Sequence, residues 1–203
     1  MSITLHQGDL PDGLTFGDAV AIDTETLGLN PHRDRLCLVQ LSRGDGDVHL
    51  VQIPQGAKSA PNLQRLLADE GVLKLFHFAR FDMAVLEHTF GVMPAPVYCT
   101  KIASKLVRTY TDKHGLKELC RELLGVDISK QQQSSDWGAE ELSDAQMEYA
   151  AGDVLYLHRL HEMLEGMLAR EGRTALAQAC FSFLPTRVKL DLGGWDEEDI
   201  FAH

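Results

Sequence analysis

The 203-residue chain lacks the features that mark a membrane protein, a secreted protein or a disulfide scaffold. None of its apolar runs approaches the ~20 residues that a bilayer-spanning helix needs. Its first ten residues, MSITLHQGDL, lack the basic and then apolar pattern of a signal peptide, which predicts a cytoplasmic location and no membrane partner. Cysteine is scarce. Cys37, Cys99, Cys120 and Cys180 are far apart, with no CxxC pair and no histidine cluster at zinc spacing, so reduced core thiols are expected. Basic charge is in deficit: 19 Lys and Arg stand against 30 Asp and Glu, a net charge of -11. That balance disfavours tight, sequence-independent binding along a long nucleic acid, so any such partner is expected to be short or held locally. There is no internal repeat, and the one biased stretch, SKQQQSS at 129–135, reads as a loop.

What is present is 44% hydrophobic content, ordinary for one globular domain of generous size, here taken as 1–203. Three strand-like runs come first: DAVAIDTET from 18, LCLVQLS from 36 and DVHLVQI from 47, the last two joined by the turn-forming RGDGD. A helix with Pro61 in its first turn follows, then the strand VLKLFHF from 72 and the helix RFDMAVLEHTFG ending at Gly91. After a short extended APVYC, helices are predicted at about 100–109, 115–124, 144–171 and 173–183. Ser143 and Gln146 have the spacing of a capping box at the start of the long one. The pattern predicts an α/β fold: a five-stranded mixed sheet flanked by helices, with a helical C-terminal half.

Within AIDTETLGLNP, Asp23 and Glu25 occupy alternate positions of one strand and therefore project to the same face, while Thr24 points away. Two carboxylates side by side in a strand that heads into a core need something to offset their charge. Tyr149 and Asp153, four residues apart on a helix, share another face. Asp82 lies near the start of the helix that leaves the fourth strand. Each has a plainer reading taken singly: a solvated strand end, a helix N-terminal charge favoured by the macrodipole, a buried tyrosine with an acceptor.

Taken in order, AIDTET, HFARFD and YAAGD resemble the three motifs of the DEDD exonucleases, in the DEDDy branch typified by RNase D. The segment LCLVQLS with Gln40, His77 five residues before Asp82, and HGLKELCRELLGVDISKQQQSSDW extend the resemblance over about 18–165. It implies an RNase H-like (DnaQ-like exonuclease) fold and a 3′-5′ exonuclease with Asp23, Glu25, Asp82, Tyr149 and Asp153 as its catalytic set. Four carboxylates in one cleft call for two divalent cations, and all-oxygen ligation suits Mg²⁺ or Mn²⁺. By analogy with the family, Asp23 bridges both ions, Glu25 and Asp153 bind the one on the nucleophile side, and Asp82 acts on the other. The chain leaves no room for the helical RNA-binding domains of an RNase D proper. Its size and its end, FLPTRVKLDLGGWDEEDIFAH, instead resemble the compact nanoRNase C-type enzymes. That likeness implies hydrolysis of very short RNA, dinucleotides above all and also short single-stranded DNA, by homo-oligomeric, octameric rings.

An unperturbed tyrosine has a pKa near 10, so Tyr149 is expected to orient a water rather than deprotonate it. The related DEDDh branch has a histidine where this chain has Glu148. Leu27 and Leu29 either wedge against a terminal base or cap the core, and His77 either contacts substrate or is a satisfied structural histidine. Trp137 is expected to pack as an anchor, with Lys130 a phosphate contact. The segment 99–121 carries Lys101, Lys105, Arg108, Lys113, Lys117 and Arg121 against Asp112 and Glu118, a local excess in an acidic chain. Lys101, Lys105 and Arg108 are accordingly candidate phosphate ligands. Residues 184–203 read as a tail serving assembly, because Trp195, Ile200 and Phe201 sit among its acids. Two rival readings are RNase D-like 3′ trimming of structured RNA and a catalytically silent nucleic-acid-binding module.

Overall fold

LCLVQLS, apolar at nearly every position, forms a strand buried along its whole length, as expected of one covered on both faces. The computed structural model describes residues 2–129 and 131–202. In chain order the elements are β1 (Ser2–Gln7), β2 (Ala19–Thr26), β3 (Leu36–Ser42), β4 (Asp47–Gln52), α1 (Pro61–Ala68), β5 (Leu73–Phe76), α2 (Ala79–Phe90) and β6 (Val97–Cys99). Helices α3 (Thr100–Val107), α4 (Leu116–Leu119), α5 (Asp144–Leu155), α6 (Leu157–Arg170) and α7 (Thr174–Leu190) complete the chain. Helix α4 runs on into a π-helical turn, Cys120–Leu124, and α7 into another, Asp191–Trp195.

The sheet has six strands in the order β1-β4-β3-β2-β5-β6. β2, β3 and β4 form the expected antiparallel meander, while β5 and β6 add in parallel on the far side of β2. The expected five strands become six because SITLHQ pairs in parallel with β4, from Ser2 opposite Asp47 to Gln7 opposite Gln52. That strand lies at the sheet edge with four of its six residues exposed, and its alternation is confined to Ile3 and Leu5, a short signal to read a strand from.

Ser143 and Gln146 close the capping box at the start of α5, each side chain meeting the other's backbone N–H. The predicted long helix 144–171 is two helices. Tyr156, at φ -107° and ψ -3°, breaks the run, and the halves serve different surfaces: α5 packs on β2, β3 and β4, while α6 packs chiefly on α3. The last helix runs past its expected end at 183 and through Pro185. An interior proline costs roughly 3 kcal/mol. Burial of Phe181, Leu184 and Val188 on one face of α7, worth about 1.5–3 kcal/mol each, outweighs it. Residues 184–190 are thus helix rather than tail. Cys37, Cys99 and Cys120 are buried free thiols, and among the described residues no helix is long and apolar enough to cross a membrane.

Candidate active site

Strand alternation sets the first part of the site. Asp23 and Glu25 project from β2 toward α5, where Asp153 completes a group of three carboxylates whose oxygens lie within 4.8 Å of one another. Thr24 projects the other way, and its hydroxyl donates to Asp82 Oδ1 at 2.6 Å from the first turn of α2. Asp82 therefore stands one step back from the other three, although its charge still reaches both Asp23 and Glu25. Gln40, directly opposite Asp23 in the β2–β3 register, lies with its amide nitrogen 3.4 Å from Asp23 and 3.5 Å from Glu25.

Burial and like-charge repulsion act on Asp23, Glu25 and Asp82. Burial, then the charges of Asp82, Asp153 and Glu25, holds the Asp23 carboxyl well above the ordinary aspartate range. Burial and the Asp153 and Asp82 charges push Glu25 up to about 9. Asp82 rises to about 7 through burial, partly opposed by the Thr24 hydrogen bond. Three acids raised together, with the Asp153 charge acting on each of them, mark a place that resists ionisation until cations enter. The donors are all oxygen, which fits a hard divalent ion such as Mg²⁺ or Mn²⁺.

Tyr149 follows from helical spacing, one turn before Asp153. Burial and the Asp153 charge raise its hydroxyl above the usual tyrosine value, and the hydroxyl donates to that carboxylate. Beneath it, Trp137 is 2% exposed and packs with its ring centroid 5.9 Å from that of Tyr149, which makes it the expected anchor.

These groups lie along a cleft of about 670 Å³. Leu27 and Leu29 line it and are 53% and 84% exposed, so neither caps the core. His77 also lines it, with Nδ1 2.9 Å from Thr100 Oγ1. The Thr100 hydroxyl donates its one proton to the Phe76 carbonyl, so His77 Nδ1 is the donor in that pair. Of the basic segment, Lys101 and Lys117 reach the cleft. Two expected phosphate ligands lie elsewhere. Lys105 lines an adjoining groove between α3 and α7, which shares Phe78 and Lys101 with the cleft but none of its acids. Arg108 is fully buried, its guanidinium bonded to Glu122, the Lys113 carbonyl and Ser104. Lys130 lies outside the described residues.

Sequence reasoning missed Thr24, Lys117 and Phe78. The partner of Thr24 is 58 residues away, and nothing local announces it. Lys117 stood in the basic run with no sign that it, rather than Lys105, faces inward. Phe78 lines the cleft from the N-cap of α2 in the left-handed conformation, φ 72° and ψ 44°. Among the described residues it is the one non-glycine at positive φ, a strain of about 1–3 kcal/mol.

A mixed sheet that presents carboxylates from β2 and α5 to one cleft, with the α2 carboxylate buried one step behind them, defines the RNase H-like class of metal-dependent nucleases. The profile of the 3′-5′ exonuclease family matches residues 10–169, and the chain belongs to that family. It is 66% identical to Brucella melitensis NrnC with bound Mg²⁺, with a TM-score of 0.96 and 100% of both chains covered. Against the same Brucella protein bound to pGG the identity is 67% and the TM-score 0.97, covering 100% of this chain and 99% of that one. Ribonuclease D of Gluconacetobacter diazotrophicus is 40% identical over 154 residues, 76% of this chain and 39% of the relative. The chain thus spans about two fifths of the length of that relative.

Proposed function

We propose that this exonuclease degrades very short RNA, dinucleotides above all, to nucleoside 5′-monophosphates, and that short single-stranded DNA is a second substrate. The observation that carries the reading is the cleft: about 670 Å³, with acids grouped on its floor and two lysines on its wall. That is the size of a pocket enclosing one small ligand, and a chain of net charge -11 offers little for a long polyanion. The Brucella NrnC bound to pGG supports the same substrate class.

In this reading Asp23, Glu25, Asp82 and Asp153 hold two divalent cations. When bound, such ions supply a water of lowered pKa and neutralise charge on the departing oxygen. Tyr149, protonated at neutral pH, keeps its hydroxyl hydrogen for Asp153 and orients the attacking water as a hydrogen-bonding group rather than as a base. Leu27 packs against the 3′-terminal base, and Lys101 and Lys117 meet the phosphates. His77, held by Thr100, keeps its ring edge toward the substrate.

The protein acts in the cytoplasm as a homo-oligomer, an octameric ring, built partly through its C-terminal end. Asp191 is bonded to both Arg80 and Arg187, and these arginines also donate to the carbonyls of Trp195 and Asp196. Ile200 and Phe201, 44% and 65% exposed, remain beyond that clasp to pack on a neighbouring subunit. A chain-length series assayed at low enzyme concentration tests the substrate. Faster mononucleotide release from a dinucleotide than from longer RNA is expected, and equal or better trimming of a folded RNA with the same 3′ end would overturn the reading.

A further inference from the structure

Phe78 combines two features that do nothing for stability. Its backbone is held in the left-handed region, and its ring is 45% exposed. Strained residues of this kind persist where surrounding structure fixes them, and they cluster at working sites. The surroundings here are specific: the Lys101 ammonium sits 4.1 Å from the ring centroid, and both residues line the cleft that holds the carboxylates. A cation over one face orients an aromatic ring without burying it.

The sheet order says where that ring stands. Asp23, Glu25 and Leu27 come from β2 and the turn after it, and Leu27 leans toward β3, its amide donating to the Arg35 carbonyl just before that strand. Phe78 follows β5, the neighbour of β2 on the other side, and Lys101 follows β6, one strand further out. Phe78 thus leaves the strand beside that of the acids, on the side away from Leu27, and lines the same cleft. The cleft carries exposed leucines, Leu27 and Leu29, after β2 and an exposed ring, Phe78, after β5, and a dinucleotide has one base on each side of its scissile phosphate.

We propose that Phe78 is a specificity-determining residue that stacks against the base on the 5′ side of the scissile phosphate, its ring held in place by Lys101. This rests on the dinucleotide reading above and deepens it: Leu27 meets the terminal base and Phe78 the penultimate one. Stacking on an aromatic face tolerates every base, so the contact selects for the presence of a second nucleotide and not for its identity.

The test compares binding of a 5′-phosphorylated dinucleotide and of a nucleoside 5′-monophosphate to wild type, Phe78→Ala, Phe78→Leu and Phe78→Trp. The Tyr149→Phe background is used throughout to slow turnover. Both smaller variants are expected to weaken dinucleotide binding about 5- to 100-fold and to leave mononucleotide binding unchanged, with Phe78→Trp retaining wild-type binding. Melting temperatures of the Ala and Leu variants should fall only slightly, since the ring is only partly covered. Three results would contradict the proposal. Equal dinucleotide binding by Phe78→Ala and wild type would overturn the stacking role alone. Loss of binding accompanied by a lower mass in light scattering would assign the ring to an interface and overturn it too. A wild-type protein that binds the dinucleotide no more tightly than the mononucleotide would overturn the dinucleotide reading, and this inference with it.

Discussion

Asp23 and Glu25, two residues apart on β2, and Tyr149 and Asp153, four apart on α5, reach the cleft in an arrangement that backbone periodicity dictates. The six cations between Lys101 and Arg121 do not. They are spread over two short helices, a π-helical turn and an irregular connection, and their side chains go to different places. Lys101 and Lys117 face the cleft, Lys105 an adjoining groove, and Arg108 the interior. The acidic wall of the cleft can therefore be read from spacing, whereas its basic wall depends on tertiary turns that spacing does not encode.

The sharpest break in that comparison is charge removal on the acidic side. Asp23→Ala, Glu25→Gln and Asp153→Ala should each lower turnover at least ~10³-fold with the fold intact, because each removes a ligand for ions worth several kcal/mol to the reaction. Circular dichroism and steady-state rates check both halves of that expectation. Tyr149→Phe keeps the ring on Trp137 and loses only the hydroxyl. A fall in kcat of roughly 10²-fold with KM little changed is expected. A rise in KM with kcat preserved would move the hydroxyl from the water to the substrate.

Metal-free protein offers a probe of the same acids without turnover. The folded-state values of Glu25 and Asp82 are raised, to about 9 and about 7, above their ordinary values of 4.5 and 3.8. Their protonated forms are favoured in the fold, so their stabilising contribution is complete below about pH 4 and is lost as pH rises through 7 and then 9. The melting temperature of the chelated protein should fall between pH 5 and pH 9, and Mg²⁺ should flatten that slope. A chelated protein whose stability rises across the window would contradict the raised values.

On the basic side effects are smaller and of two kinds. Lys101→Ala and Lys117→Ala should raise KM about 2- to 5-fold, more at low salt than at high salt. Lys105→Ala should leave kinetics unchanged. Arg108→Ala should cost about 1.5–3 kcal/mol of stability through its lost charged hydrogen bonds, visible in denaturant titration.

Much of the fold was legible for the same reason as the acids. The apolar strands β2 to β5, the Pro61 start of α1 and the Ser143–Gln146 cap all carry local signals. What escaped was decided at a distance. β1 is an edge strand with little to bury, the break at Tyr156 follows from two halves packing on different surfaces, and Pro185 is overridden by the buried face of α7. In the site, Thr24 and Phe78 escaped likewise. One acts on a residue 58 positions away, and the other owes its place to a backbone conformation that no side-chain pattern announces.

The most direct measurement follows nucleoside 5′-monophosphate released from a 5′-labelled dinucleotide by wild-type and Asp23→Ala protein, with Mg²⁺ present, after chelation, and after Mg²⁺ is restored. The expected result is wild-type release that stops on chelation and returns with the ion, and Asp23→Ala release at least ~10³-fold slower throughout. Release that survives chelation, or Asp23→Ala activity within about tenfold of wild type, would contradict a carboxylate-held metal centre.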